Sequence, residues 1–196
     1  MDKHQLLLSI GAILFAYLYG SIPFSLLLAK SKGIDLRTFG SGNLGGSNLG
    51  RACGTKYFII AFILDMSKGA ISVWISNYLG LNPLIVFPFA VLGHAFSIYI
   101  KFKGGKGIAT CFGFALAYAF WPAIIAIISF LIFLKIWKYV SLAAILAIYV
   151  FDIVMLLEKN YILAIFVFFI NLGVIYLHRA NLKRIKEGTE RKISWM

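Results

Sequence analysis

The sequence has few charged residues and very few acidic ones. Asp, Glu, Lys and Arg make up 13% of its 196 residues, and only seven residues are Asp or Glu, whereas about 25% of an ordinary soluble domain is charged. Hydrophobic residues reach 61%, which is more than a soluble globule of this size could bury and excludes a disordered chain. The composition therefore predicts one integral membrane domain that comprises residues 1–196.

Several common motifs are also missing. The two cysteines, Cys53 and Cys111, form no CxxC pair, which argues against a zinc site and a disulfide framework. No His, Cys, Asp or Glu cluster has the spacing of metal ligands, so we expect neither a metal nor a cofactor. A Walker A loop is absent. The first apolar segment continues to Ala29 without a clear small-residue cleavage site, so we expect a membrane span rather than a cleaved signal.

The charge that is present is mostly positive, with 19 Lys and Arg and a formal net charge of +12. In a soluble protein this balance would suggest nucleic acid. In a membrane protein it is typical of the cytoplasmic face, where Lys and Arg collect. We therefore expect no nucleic-acid partner, and a basic surface that meets membrane lipid and an anionic substrate.

Six apolar segments are candidates for membrane spans, and the fourth is ambiguous because it contains Trp121-Pro122. The segments are 5–29, 57–79, 83–100, 108–134, 139–157 and 160–177. The positive-inside rule places the basic segments 30–56, 101–107 and 178–196 on the cytoplasmic side. The chain must then cross an even number of times after residue 107, so segment 108–134 is read as two short helices. The fold prediction is an all-α integral membrane protein with seven transmembrane helices, two of them short, an outside N-terminus and a cytoplasmic C-terminus.

The segment Phe39–Arg51 has the most specific composition. Its glycines let backbone N–H groups converge on a ligand, and such concave rows of N–H groups bind anions. Serine and asparagine side chains add neutral donors, and an arginine can bind phosphate through two hydrogen bonds. A flexible linker is the alternative, but it would not require paired asparagines and a final arginine. The candidate residues are Gly40, Ser41, Gly42, Asn43, Gly45, Ser47, Asn48 and Arg51.

A second glycine-rich segment, Gly104-Gly105-Lys106-Gly107, directly precedes a predicted helix. Backbone amides and the helix dipole favour an anion at such a position, and Lys106 adds a positive charge. The neighbouring Lys101 and Lys103 suit lipid headgroups better.

A third polar segment begins where the last apolar span ends. His178, Asn181 and Glu190 could fold over the cytoplasmic mouth of the helical bundle. The alternative is a basic tail that only contacts anionic lipid.

Asp65, Lys68 and His94 lie inside predicted spans, where charge is costly and is usually paired or functional. Asp65 and Lys68 are three residues apart on one helix, a spacing that suits an ion pair, and either a structural pair or a site role for Lys68 fits. His94 precedes the Lys101–Gly107 loop and is a further candidate substrate contact.

The three polar segments share one predicted face of the bundle, which favours a cytoplasmic site for one or two phosphate-bearing ligands that opens to lipid. Two other classes of membrane protein fit the pattern less well. A carrier or channel for an anionic metabolite would need polar residues throughout the membrane depth, and a non-catalytic lipid-binding subunit would not need several glycine-rich phosphate motifs.

Four motifs resemble the bacterial acyl-phosphate:glycerol-3-phosphate acyltransferases, the PlsY family, in order and spacing. They are GSGNLGGSNLGR at 40–51, DMSKG at 65–69, GHAFSIYIKFKGGKGIAT at 93–110 and HRANLKRIKEGTE at 178–190. The resemblance covers nearly the whole chain. One departure is visible, since the family usually has Gly-Ala-Thr-Asn where this chain has Gly45-Gly46-Ser47-Asn48, but serine retains the hydroxyl.

The resemblance implies transfer of a fatty acyl group from acyl phosphate to the 1-hydroxyl of sn-glycerol 3-phosphate. The products would be lysophosphatidate and phosphate, in the first step of phospholipid synthesis. It further implies a seven-helix protein of the bacterial inner membrane, and we expect a monomer with its active site on the cytoplasmic side. The family's functional residues correspond here to Ser41, Asn43, Arg51, Lys106, His178, Asn181 and Glu190.

The expected mechanism is direct transfer between two bound substrates. Backbone amides of 40–45 with Ser41 would hold the acyl phosphate, Lys106 and Arg51 would bind the phosphate of glycerol 3-phosphate, and His178 with Asn181 would orient its glycerol. No histidine is followed by Asp after four intervening residues. We therefore expect a phosphate oxygen of the substrate to accept the hydroxyl proton as the general base, with His178 as the alternative.

Overall fold

The structure is a computed structural model that describes residues 2–193. Within these residues the chain forms ten α-helices and one short 3-10 helix, and no strand. The α-helices are α1 (Lys3–Gly20), α2 (Phe24–Lys30), α3 (Gly46–Cys53), α4 (Thr55–Tyr78), α5 (Pro83–Ala95), α6 (Ile108–Tyr118), α7 (Phe120–Trp137), α8 (Val140–Leu157), α9 (Tyr161–Leu177) and α10 (Arg179–Lys186). The 3-10 helix, Ile98–Ile100, follows α5. The all-α prediction is confirmed.

Five helical segments in the described chain are long and apolar enough to cross a membrane. They are Lys3–Lys30, Thr55–Tyr78, Pro83–Ile100, Phe120–Trp137 and Val140–Leu157. Helices α9 and α10 form a sixth if they count as one span, although they are bent by 61° relative to each other. Helix α6 is apolar but has only 11 residues. These lengths support an integral membrane fold, whereas the seven-helix topology and the side of each terminus stay predictions.

The apolar segment 108–134 is divided into two helices, as predicted. The break lies at Ala119, just before Trp121-Pro122. Pro122 lies in the first turn of α7. Backbone N–H groups there have no intrahelical partner, so the N–H that proline lacks costs the helix no hydrogen bond. Because α7 then continues to Trp137, it has 18 residues. The prediction that both helices are short is wrong for α7.

The chain divides into two compact units, Met1–Tyr118 and Ala119–Met196. In the first unit, α4 and α6 approach so closely that their backbones touch. A Cβ atom added to Gly69 would overlap the backbone carbonyl of Thr110, and one added to Gly113 would overlap the carbonyl of Met66. Small residues commonly allow such close packing between membrane helices. This contact fixes α6, and the loop that precedes it, relative to α4.

Two apolar segments of the first unit are interrupted at neighbouring points, rather than continuous as the sequence suggested. The first break is at residues 21–23, and the second follows α5. The hydroxyl of Ser97 donates to the carbonyl oxygen of Ser21 at 2.5 Å, and that of Tyr17 donates to the carbonyl oxygen of Phe96 at 2.9 Å. Backbone groups released by a broken helix need partners at membrane depth. These bonds supply them across the two breaks.

In the second unit, α8 and α9 are joined by a buried polar pair. Asn171 Nδ2 donates to Asp152 Oδ2 at 2.8 Å. The C-terminal segment returns to the end of α7, because the Ile193 N–H donates to the carbonyl oxygen of Lys138 at 2.9 Å. The polar segment 178–193 is therefore a folded part of this unit.

Candidate active site

The first glycine-rich segment is folded around the side chain of Asn48. Asn48 is 1% exposed. Its Nδ2 donates to the carbonyl oxygens of Leu36 at 3.3 Å and Phe39 at 2.9 Å, and its Oδ1 accepts from the Ser41 N–H at 3.2 Å. All three bonds go to the backbone of the preceding loop. The predicted substrate contact Asn48 thus has the geometry of a residue that shapes the loop.

Two glycines enable the loop to turn on either side of Ser41. Gly40 has φ 60° and Gly42 has φ 68°, a left-handed conformation that glycine adopts without steric cost. Ser41 itself is exposed, and its Oγ accepts a long bond of 3.4 Å from the Asn43 N–H. The loop therefore presents Ser41 at the surface of the unit.

Helix α3 follows this loop and was not anticipated from the sequence. Asn43 Oδ1 accepts from the N–H of Gly45, the residue before the helix, at 2.9 Å. Ser47 lies in the first turn of α3, and Arg51 lies in its last turn. The first turn of a helix carries partial positive charge, which favours an anion. Three of the polar candidates, Ser47, Asn48 and Arg51, are thereby fixed on a short helix instead of a free loop.

Arg37, the arginine that precedes this loop, is occupied by a neighbouring carboxylate. Its Nη2 lies 2.5 Å from Asp35 Oδ2. The hydrogen bonds from Arg37 lower the pKa of Asp35 to about 2. The positive charge of Arg37 is therefore paired with the Asp35 carboxylate.

The second glycine-rich segment lies directly against the end of α5. The Gly105 N–H donates to the carbonyl oxygen of His94 at 3.1 Å. A Cβ atom on Gly104 would overlap the His94 carbonyl, and one on Gly105 would overlap the His94 ring. Gly107 has φ 80°. Gly104 and Gly105 thus permit close approach to α5, and Gly107 permits the turn into α6.

Lys106 lies between Gly105 and Gly107, two residues before α6 begins at Ile108. It is partly buried. The Cys111 N–H already bonds to the Gly107 carbonyl at 2.8 Å, so Lys106 stands immediately before the first turn of the helix. The helix dipole and the lysine charge favour an anion at the same place.

The two glycine-rich segments meet, as predicted. A Cβ atom on Gly45 would lie 4.0 Å from the Cα atom of Gly105, which is an ordinary van der Waals distance. Leu44, Gly104 and Gly105 line one cleft. Segments that are about sixty residues apart in the printed sequence therefore form one surface in the first unit.

A buried ionisable cluster lines the same cleft. Lys68 Nζ lies 2.8 Å from Asp65 Oδ1 and 3.3 Å from His94 Nδ1, and His94 Nδ1 lies 3.4 Å from Asp65 Oδ1. Each of the three residues is less than a tenth exposed. Asp65 and Lys68 form a salt bridge, which is one of the two alternatives left open by the sequence, and both residues also line the cleft. A substrate-binding role for Lys68 stays a prediction.

In the second unit, His178 lies at the bend between α9 and α10 and is buried. Its Nδ1 lies 2.8 Å from the carbonyl oxygen of Val174. Because a carbonyl can only accept, Nδ1 carries the hydrogen, and in the neutral ring Nε2 is the acceptor nitrogen. The tautomer needed for a base or for accepting a substrate hydroxyl is set by the backbone.

Glu190 fixes the C-terminal motif by binding two side chains of α10. Its Oε1 accepts from Asn181 Nδ2 at 2.7 Å, and its Oε2 accepts from Arg184 Nε at 2.6 Å. The Glu190 side chain is 6% exposed. Each carboxylate oxygen of Glu190 therefore has a protein donor, and the geometry fits a residue that positions Asn181.

Comparison with known proteins identifies the family. Residues 10–188 match the family described as glycerol-3-phosphate acyltransferase. The chain belongs to that family. Glycerol-3-phosphate acyltransferase of Bacillus subtilis (strain 168) is 43% identical over 188 residues, which cover 94% of this chain and 97% of the relative. The protein of Listeria monocytogenes serotype 4a (strain HCC23) is 41% identical over 191 residues, with 93% and 96% covered.

Solved structures of PlsY, an integral membrane glycerol 3-phosphate acyltransferase, are similar to this acyltransferase. The glycerol 3-phosphate form has 34% sequence identity and a TM-score of 0.88, and the match covers 95% of this chain and 96% of that chain. The lysophosphatidic acid form has 33% identity and a TM-score of 0.86, with 95% of each chain covered. The resemblance to the PlsY family is confirmed.

Two residues of the acyltransferase cleft were missed by the sequence reasoning. Ser21 and Ser25 are each 1% exposed and line the cleft with Lys68 and His94. The signal that could have found them is Pro23, which stands between them in an otherwise apolar run. A proline at that position predicts a helix break, and polar side chains at a break within a membrane span commonly line a cavity.

Proposed function

We propose that the acyltransferase moves a fatty acyl group from acyl phosphate to the 1-hydroxyl of sn-glycerol 3-phosphate, which yields lysophosphatidate and phosphate. The observation that carries this proposal is the contact between the Gly45 and Gly105 segments at one cleft. Each segment offers backbone amides and a helix N-terminus, and both substrates bear a phosphate group. Membership of the glycerol-3-phosphate acyltransferase family supports the acceptor.

The reaction can proceed without a covalent enzyme intermediate, because acyl phosphate is already an activated anhydride. The 1-hydroxyl oxygen attacks the acyl carbonyl carbon, the bond from that carbon to the phosphate oxygen breaks, and the hydroxyl proton passes to phosphate. The contribution of the protein is to hold the two reactants in line, which can replace much of the entropic part of the barrier.

The loop around Ser41 is assigned to the acyl phosphate. Backbone amides of residues 40–45, together with the Ser41 hydroxyl, would donate hydrogen bonds to the departing phosphate. Such fixed donors act where charge develops in the transition state. The exposed position of Ser41 and the loop shape imposed by Asn48 support this role.

Lys106 and Arg51 are assigned to the phosphate of glycerol 3-phosphate. Arginine can bind phosphate through two parallel hydrogen bonds, while lysine contributes a compact charge. His178 and Asn181 are assigned to the glycerol hydroxyls, which fits the fixed tautomer of His178 and the Glu190 contact that orients Asn181.

The proton acceptor in this proposal is an oxygen of the substrate phosphate. Among the described residues that line the cleft, Asp65 is the carboxylate, and it is bound by Lys68. Glu190 is likewise engaged, by Asn181 and Arg184. His178 is the alternative base, because neutral imidazole accepts a proton near physiological pH.

The membrane context completes the proposal. We place the protein in the bacterial inner membrane with seven spans, the N-terminus outside and the catalytic segments on the cytoplasmic side, because the basic segments collect there. The acyl chain would lie in a groove between helices that opens to lipid, and the protein would act as a monomer. Labelling of an introduced C-terminal cysteine in sealed inverted and right-side-out vesicles would test the orientation.

A comparison of acyl donors tests the proposed reaction. Purified protein would receive glycerol 3-phosphate with palmitoyl phosphate, palmitoyl coenzyme A or palmitoyl acyl carrier protein, and lysophosphatidate would be measured by mass spectrometry. We expect product from the acyl phosphate alone. Product only from a thioester donor would contradict the proposal, and uptake of labelled glycerol 3-phosphate into protein-containing liposomes without any acyl donor would favour a carrier.

A further inference from the structure

The buried cluster Asp65–Lys68–His94 connects the membrane helices to the loop that carries Lys106. We propose that Asp65 is a positioning residue, which acts through His94 to hold Gly104–Lys106 in the shape that binds glycerol 3-phosphate. The inference rests on the proposed function, and it assigns to Lys68 and His94 a part in shaping the cleft in place of direct substrate contact.

The connection from the cluster to the loop runs through His94. The carbonyl oxygen of His94 accepts the Gly105 N–H at 3.1 Å. The His94 ring also lies so close to Gly105 that a Cβ atom there would overlap it. Because Gly105 directly precedes Lys106, a displaced or rotated ring must move the backbone that carries this lysine.

The position of the His94 ring is in turn set by α4. Asp65 Oδ1 lies 3.4 Å from His94 Nδ1 and 2.8 Å from Lys68 Nζ, so one carboxylate oxygen contacts both partners. Removal of the Asp65 charge would leave the ammonium of Lys68 only 3.3 Å from the His94 ring nitrogen without its counter-ion. Because an ammonium can only donate, His94 Nδ1 accepts from Lys68 Nζ. Loss of the carboxylate would therefore remove the group that orients this donor and leave the ring beside an uncompensated charge.

Lys68 and the backbone of Asp65 are also held by contacts outside the cluster. Loss of the Asp65 carboxylate should therefore change the position of the His94 ring more than that of these groups. Lys68 Nζ donates to the Ile22 carbonyl at 2.7 Å and lies 5.0 Å from the centre of the Phe24 ring. The Asp65 carbonyl accepts from the Thr110 hydroxyl in α6 at 3.2 Å. The cluster therefore contacts elements on both sides of the Gly104–Gly107 loop.

A purely structural ion pair would behave differently from a positioning residue. Replacement of a buried pair by apolar residues of similar volume is often neutral or stabilising, whereas removal of one partner is strongly destabilising. A double substitution can thus restore folding while leaving His94 without its partner. Substrate affinity measured in such a variant separates the two roles.

The test compares Asp65→Asn, the double variant Asp65→Leu with Lys68→Met, and the control Ser72→Ala. Ser72 is buried on the same helix, and its hydroxyl donates to the Gly69 carbonyl at 2.6 Å. The KM for glycerol 3-phosphate, kcat, and the Tm with and without glycerol 3-phosphate would be measured for each protein. Monodispersity in detergent would report folding.

We expect Asp65→Asn and the double variant to raise the KM for glycerol 3-phosphate by about tenfold or more, with kcat changed less, because small displacements of positioning groups are costly. Both variants should lose the Tm increase given by glycerol 3-phosphate, and Ser72→Ala should retain wild-type values. A double variant with wild-type KM, or loss of folding in both variants, would overturn the inference. Lack of transfer from acyl phosphate by wild-type protein would contradict only the proposed function, because the Tm shift is measured without a donor.

Discussion

The backbone N–H of Ser41 donates to the side-chain oxygen of Asn48 at 3.2 Å. The loop and the helix that follows it are thereby joined, since Asn48 lies in α3 and Ser41 lies before it. The amide nitrogen of the same side chain binds two further carbonyl oxygens of the loop. The position of the proposed phosphate loop therefore depends on one buried side chain.

Substitution Asn48→Ala should lower both stability and turnover. A buried polar group that loses its partner costs about 1–3 kcal/mol, and the carbonyls of Leu36 and Phe39 would each lose a donor. Thermal unfolding and steady-state kinetics of the variant would measure the two effects. Asn77→Ala, at an exposed site on α4, is the matched control, and an Asn48→Ala protein with the kinetics of this control would show that the loop does not need the anchor.

Substitution Lys106→Ala should mainly weaken the binding of glycerol 3-phosphate. Loss of one partner from a desolvated charge pair costs about 2–5 kcal/mol, so the KM should rise at least about 30-fold. Lys103→Ala is the control, because Lys103 is exposed in the same basic segment. Equal KM values for the two variants would remove Lys106 from the site.

Substitution of His178 separates the two candidate bases. With a phosphate oxygen as base, His178→Asn should raise the KM for glycerol 3-phosphate and reduce kcat only modestly, because asparagine can still orient a hydroxyl. With His178 as base, kcat in both His178→Asn and His178→Ala should fall by about 10²–10⁴ at saturating substrate. The second pattern, with an unchanged KM, would rule out the substrate-assisted mechanism.

Substitution Gly113→Ala should destabilise the first unit. The added methyl group would overlap the Met66 carbonyl across the α4–α6 contact, and overpacking of this kind typically costs about 1–3 kcal/mol. Gly173→Ala, in α9, is the control because nothing lies within 4 Å of its Cβ position. Tm values in the same detergent would compare the variants, and equal stability would contradict the close helix contact.

The sequence predicted the parts of the site whose signal is local. Glycines beside Ser41 and Lys106 indicate anion-binding backbone independently of the remaining sequence. The contact between the two segments follows from their placement at one membrane face. The break in segment 108–134 was also predictable, because Trp121-Pro122 left one or two helices open and the distribution of positive charge favoured two.

The remaining features depend on contacts between distant residues. The break at residues 21–23 is stabilised by Ser97, 76 positions along the chain, and the Lys68–His94 contact joins residues 26 positions apart. The role of Asn48 depends on the path of the loop, which brings the Leu36 and Phe39 carbonyls to its side chain. No periodicity or spacing rule reports such contacts. Asn48, Lys68 and His94 were therefore identified only by type, and Ser21 and Ser97 were not identified at all.

The most direct test of the account is a paired measurement of phosphate and lysophosphatidate from palmitoyl phosphate and glycerol 3-phosphate. With direct transfer, purified protein forms the two products in equal amounts and releases no burst of phosphate when glycerol 3-phosphate is omitted. Phosphate release without lysophosphatidate, or a stoichiometric burst in the absence of the acceptor, would contradict direct transfer between two bound phosphate-bearing substrates.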